Sequence, residues 1–280
     1  MASDHRWPAR PPRVDGQKWV RFLLGEKRIR GLTPPPLPDA ATQAKFVGSC
    51  GAESFKEAST FCEKLYQVAT AEIGGLQADT PVLDFGVGWG RLYRVMLNYV
   101  SPHCLIGSDI DPSCVELCSE EMPYGQFVHN DVRPPLDLPP DEFAIVYAYS
   151  VFSHLAPSIA DGWMKEFSRI VRRGGLVAFT TLKTAHLSVW ASQLHGDDPN
   201  YVACLEGSGF DRDAWDRRTG QGEALYLPIG GGDMRDGAFY GETILSEPAV
   251  RHMAHRAGLR LLLFEDGPDL PQSFVVFGRP

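Results

Sequence analysis

Residues 82–91, Val-Leu-Asp-Phe-Gly-Val-Gly-Trp-Gly-Arg, put a carboxylate, Asp84, at the end of a short apolar run and glycines at 86, 88 and 90. Glycine lets a chain turn sharply and lets a ligand approach bare backbone. A second apolar run, Cys104-Leu105-Ile106-Gly107-Ser108, ends in Asp109. A carboxylate placed there, about 20 residues beyond a glycine turn, can accept both hydroxyls of a ribose. A third acid, Asp131, closes the run Gln126-Phe127-Val128-His129-Asn130. His154 follows a fourth run, 141–149, and His186 follows a fifth; an imidazole at either place could take the proton of an attacking hydroxyl.

The elements that position these groups follow from periodicity. The apolar run at 82–85, the glycines and the helically spaced Arg-Leu-Tyr-Arg-Val-Met-Leu at 91–97 read as strand, tight turn and helix start, where an open α/β sheet binds a nucleotide-like ligand. A dinucleotide G-x-G-x-x-G turn would need glycine at 91, where the chain has Arg91, and a phosphate-cradling loop would need lysine and a hydroxyl residue. Asp111 before Pro112 reads as a helix N-cap. Helical spacing runs from Ser54 to Ile73, and strands and helices then alternate to residue 182, which predicts a parallel sheet with right-handed crossovers.

The pattern D-x-G-x-G-x-G, with acids after the second and third strands, resembles motif I and its surroundings in the class I S-adenosylmethionine-dependent methyltransferases. The resemblance covers about residues 46–182 closely and the strands near 259–265 and 273–278 more loosely. It implies an α/β fold: a doubly wound, mostly parallel seven-stranded Rossmann-like sheet. It implies S-adenosyl-L-methionine as cofactor, held by Asp84, Gly86, Gly88, Gly90, Arg91, Asp109 and Ile110. Asp131 would meet the adenine amino group, Val132 would pack on the ring, and Ser150 would stand in the loop lining the transfer site. Residues 163–181 look like the family's helix, a Gly174-Gly175 C-cap and the fifth strand. Magnesium-dependent relatives place carboxylates after the fourth and fifth strands, where this chain has Ser150 and Thr181-Leu182, so no metal is expected. What remains resembles the bacterial group acting on small molecules, including sugars and other natural-product intermediates. The expected reaction is in-line methyl transfer to a small polar acceptor at oxygen, with His154 as base and His186 as second candidate. A structural tie by His154, N-methylation of an amino sugar or other amine, and a non-catalytic partner subunit are the alternatives.

Composition narrows the setting. An apolar content of 44% in 280 residues suffices for one large domain with additions. The runs are too short to span a bilayer, no signal peptide is expected, and six cysteines suggest reduced thiols in a cytoplasm. Cys114 and Cys118 share a helix face and read as packing. The net charge of −8 argues against nucleic acid. Residues 1–30, however, hold eight Lys/Arg against three acids. Residues 1–45 therefore read as a basic, proline-rich arm, with one short helix near 18–24 and an extended stretch at 34–38. It is expected to be solvated or, in the sharper reading, to contact an acidic group of the acceptor, a carrier or a second copy of the chain. Residues 183–245, inside a domain of 46–280, are too long for a plain connection. They should hold helices and a β-ribbon, roof the acceptor and turn at Gly230-Gly231-Gly232. The partner expected is a small molecule, anionic or sugar-linked, with homo-oligomerisation left open.

Overall fold

The computed structural model describes residues 7, 10–231 and 235–280; Gly232 and the start of the basic arm lie outside them. Seven strands form one sheet in the order β3-β2-β1-β4-β5-β9-β8, mostly parallel and with helices on both sides. By its contacts the chain divides into two compact units, residues 1–131 with 142–147, and residues 132–141 with 148–280.

In the first unit β1 (Val82–Phe85) pairs in parallel with β2 (Leu105–Asp109) and with β4 (Phe143–Ala148), and β2 pairs in parallel with β3 (Gln126–His129). All residues of β1 and β4 are buried, as strands covered on both faces must be. Helix α3 (Gly51–Ile73) ends on Gly74 in the left-handed region, φ 79°. The glycine turn feeds α4 (Arg91–Met96), and Asp111 caps α5 (Pro112–Glu121) by accepting from the Ser113 N–H, as read from the sequence.

The basic arm departs from its expectation as a solvated tail. Helix α1 (Gly16–Leu23), capped by Asp15, buries Trp19, Phe22 and Leu23, and Trp7 stacks on Tyr124 with ring centroids 5.0 Å apart. The Trp19 indole N–H donates to the Arg94 carbonyl at 3.0 Å, and Asn98 pairs with both backbone groups of Val14. The stretch at 34–38 is extended, and its Pro36 carbonyl accepts from the fully buried Arg94 guanidinium at 2.8 Å. Average composition hid the point: three apolar side chains at positions i, i+3 and i+4 of one short helix make an anchor, whatever the charge around them. A second short helix, α2 (Ala40–Val47), is capped by Asp39.

In the second unit α6 (Pro157–Ile170) leads into β5 (Val171–Thr181), which pairs antiparallel with β9 (Ser273–Gly278); β9 in turn pairs antiparallel with β8 (Arg260–Glu265). Gly174-Gly175 is no helix cap. The helix ends at Ile170, and the two glycines lie within β5, Gly174 at φ 73°. There the Gly174 N–H donates to the Arg279 carbonyl and the Arg279 N–H to the Gly175 carbonyl, so the pair belongs to a kinked strand end. Residues 183–245 hold α7 (Leu187–Gln193), α8 (Pro199–Gly207), α9 (Arg212–Gly220) and an antiparallel ribbon of β6 (Leu225–Leu227) and β7 (Glu242–Ile244). Their core is built on Trp190, Trp215, Leu205 and Leu227, with Phe210 set edge-on to both tryptophans. Helix α10 (Glu247–Ala257) follows and stops on left-handed Gly258. Among the described residues no helix is long and apolar enough to cross a membrane.

Candidate active site

The first unit carries the glycine turn. Gly86, Gly88 and Gly90 have φ values of 79°, 52° and 79°, which L side chains rarely adopt. The turn is pinned to β2: the amides of Gly86 and Val87 donate to the Ser108 carbonyl at 2.8 and 2.9 Å, and the Gly88 amide donates to Asp109 Oδ2 at 2.8 Å. Asp109 Oδ1 accepts from the Asp111 amide at 2.9 Å. A Cβ on Gly90 would collide with Arg94, Met122 and Cys118, whereas one on Gly88 would point into open space. The Cys118 thiol, one of the two sharing a face of α5, lies 3.3 Å from the Gly88 carbonyl.

Asp84 is buried, and its Oδ2 has no hydrogen-bond partner among the described residues. Burial pushes its carboxyl up to about 7; Asp109 adds to the shift, while Tyr147, whose buried hydroxyl lies beside it, and Arg91 oppose it. A buried carboxylate oxygen whose neighbouring Tyr147 hydroxyl makes no well-formed hydrogen bond to it is costly unless a cationic or hydrogen-bonding ligand completes it. Arg91 turns its guanidinium to α3, donating to the Ser54 carbonyl at 2.8 Å with Glu57 at 3.7 Å.

The second unit carries the histidines. Ser150 takes a left-handed φ of 56°, a strained position for a residue with a side chain. Its amide donates to Thr180 Oγ1 at 2.8 Å and its hydroxyl accepts from Gln272 at 2.9 Å. Residues 153–155 then run beside 240–243. The amides of Gly241 and Thr243 donate to the carbonyls of His154 and Ser153, both at 2.8 Å. His154 Nδ1 lies 2.8 Å from the Gly241 carbonyl. A carbonyl only accepts, so this contact assigns the ring proton to Nδ1 and leaves the lone pair of the neutral imidazole on Nε2. Burial holds the His154 pKa below its ordinary 6.5, which favours that neutral form. The ring stacks on Tyr240 at 4.9 Å and 7°. Gly241 has to be glycine, because a Cβ there would run into the Leu227 carbonyl.

The next residue, Glu242, gathers the insertion. Its Oε2 accepts from His186 Nε2 at 3.3 Å, from the Tyr201 hydroxyl at 2.5 Å and from the Trp190 indole N–H. Burial opposes its charge, yet His186, Tyr201 and Trp190 together outweigh it and hold the carboxyl below the usual range.

The structure thus gathers Asp84, Gly86, Gly88, Gly90, Arg91 and Asp109 at one strand–turn–helix of the first unit. Ile110 follows there, its carbonyl meeting His129 at 3.1 Å, and Asp131 is exposed in the loop after β3. In the second unit Val132 accepts from the Trp163 indole at 3.0 Å, Ser150 begins the loop, and His154 and His186 meet through Gly241-Glu242. Glu242 escaped the sequence reading. Its signal was a glycine and an acid heading a short apolar run, Gly241-Glu242-Thr243-Ile244.

Comparison with known proteins agrees with this geometry. The family model described as a methyltransferase domain matches residues 82–175. Among solved structures, an S-adenosylmethionine-dependent methyltransferase from Clostridium acetobutylicum is 14% identical, with a TM-score of 0.50 over 80% of this chain and 90% of that one. A protein from Pyrococcus horikoshii is 15% identical, with a TM-score of 0.50 over 78% and 89%. DesVI of Streptomyces venezuelae is 11% identical, with a TM-score of 0.51 over 80% and 93%. At such identities the likeness is one of fold.

Proposed function

We propose that this chain is a class I S-adenosylmethionine-dependent methyltransferase, as the methyltransferase domain model over residues 82–175 supports, and that it methylates a hydroxyl of a small polar acceptor with His154 as general base and no metal. The observation that carries this reading is the bond between His154 Nδ1 and the Gly241 carbonyl. It leaves Nε2 as the basic atom, on a ring that burial keeps neutral.

The first unit fits the cofactor. Its orphaned Asp84 oxygen suits the ammonium of an amino-acid end, Asp109 at the tip of β2 suits vicinal ribose hydroxyls, and the space beside Gly88 admits a ligand against bare backbone. Asp131 would take the adenine amino group, Val132 the ring face, and Ile110 and Ser150 the flanks. Arg91 acts from behind the turn through Asp84, as its contacts with α3 support. When bound, S-adenosylmethionine supplies a methyl carbon made electrophilic by its sulfonium. The chain's task is then to align the acceptor, which in favourable cases contributes about 7–11 kcal/mol, and to take the hydroxyl proton on His154 Nε2. The loop after β4 and the last position of β5 offer Ser150 and Thr181 rather than carboxylates, which supports a metal-free site. His186, committed to Glu242, positions that carboxylate.

His154→Ala tests the reading. Turnover with methyl-labelled donor should fall about 10²–10⁴-fold while calorimetric donor affinity stays at the wild-type value. Near-native turnover in the folded variant would remove His154 from the chemistry.

A further inference from the structure

The two oxygens of Glu242 meet different surroundings. Oε2 takes three donors, which come from the turn at Thr184–His186, from α7 and from α8. Oε1 accepts no hydrogen bond from the described residues, and it is not among the side-chain atoms sealed from solvent; the side chain as a whole is 22% exposed. Three convergent donors fix the carboxylate's orientation and therefore which oxygen is presented outward. A tie within the insertion would need only the inward one. Trp190 and Tyr201 are neutral donors, so they orient the charge without cancelling it, and His186 cancels it only when protonated. Arg235 lies over the Tyr240 ring, 5.1 Å from its centroid, and makes no ion pair with Glu242. A carboxylate is an acceptor only, and its charge-assisted bonds are roughly twice as strong as neutral ones. The group that completes it best is a cationic donor.

We propose that Glu242 Oε1 anchors a protonated amine of the acceptor, so that the substrates are hydroxy compounds that also carry an ammonium group. This rests on the reading of His154 as base. Gly241 holds that base and Glu242 is the next residue, and the Glu242 charge is felt at His154, so proton acceptor and anchor lie within electrostatic reach of each other. The acceptor is then cationic, the opposite of the anionic molecule that the basic arm suggested.

The test uses methyl-labelled S-adenosylmethionine and a low-molecular-weight cell extract. Products are separated on a cation exchanger at pH 7, and the labelled atom is located by mass spectrometry. The wild-type chain should place label on oxygen in compounds that the exchanger retains. E242Q, nearly isosteric, should lower labelling of that fraction about 10–100-fold while donor affinity is unchanged. Tyr201→Phe removes an inward donor and spares Oε1, so it should keep the preference for the retained fraction even where stability drops. Wild-type labelling by E242Q, or equal losses in all fractions with Y201F behaving alike, overturns the anchor. Label on oxygen of unretained compounds alone also overturns it and leaves His154 standing. Label on nitrogen overturns both, because that amine attacks and is not held as a cation. No label in any fraction overturns the hydroxyl reading and the anchor with it.

Discussion

The two units hold their candidate residues differently. In the first unit the glycine turn is tied through backbone amides to residues about twenty positions away, Ser108 and Asp109. In the second unit backbone bonds join 153–156 to 239–243, and side chains add long-range ties: His154 reaches Gly241 across 87 positions, and Glu242 reaches His186, Trp190 and Tyr201 across 56, 52 and 41. Backbone ties make a turn that many side chains can decorate, which suits a cofactor shared by a large family. Side-chain networks change with single substitutions, which suits the acceptor-selecting role proposed for this unit.

Breaking the first half should cost most at its least obvious member. Trp19→Ala removes a fully buried indole and the bond to the Arg94 carbonyl; it should destabilise the protein by about 3–5 kcal/mol, read by denaturant titration, and loosen donor binding through Arg94. An unchanged midpoint would mean that the arm is not part of this half. Asp109→Asn comes next. Losing a charge-assisted bond costs about 1.5–3 kcal/mol, so calorimetric donor affinity should fall about 10–100-fold, and equal affinity would break the assignment of the ribose to β2.

Smaller effects appear as pH dependence, and they differ in kind between the halves. Asp84 titrates near 7 in the folded protein against 3.8 in the open chain. The folded state therefore favours its proton, and the stability it contributes at low pH is lost as pH rises through about 7. A cationic donor group needs the ionised form, so donor affinity should climb with pH across that range, by at most about tenfold per unit, and Asp84→Asn should flatten the climb. His154 shifts the other way. Its folded pKa lies below 6.5, so the acidic limb of turnover should fall below pH 6.5, and the stability this group contributes is lost as pH drops through that value. A limb at or above 6.5 would place the base elsewhere.

Legibility followed the same division. The strand and turn that carry Asp84 and the three glycines, the strand that ends on Asp109 and the Asp111 cap were readable because each element is local in sequence. The C-terminal strands were legible only through the family resemblance, since Arg260–Glu265 and Ser273–Gly278 are apolar runs without alternation. The roles of Trp19 and Glu242 were not, since each depends on partners far along the chain. Gly174-Gly175 misled because a helix cap and a strand kink both want a left-handed glycine, and only the Arg279 partners decide between them.

The placement of two tryptophans makes this division observable in a single spectrum. Trp89 lies inside the glycine turn, almost wholly buried, with no partner for its indole nitrogen among the described residues, while Trp190 gives its indole proton to Glu242. With fluorinated tryptophan in all six positions, those two resonances, assigned by single Trp→Phe replacements, become separate gauges of cofactor and acceptor occupancy. Filling of either unit's candidate residues then reduces to watching one assigned line move.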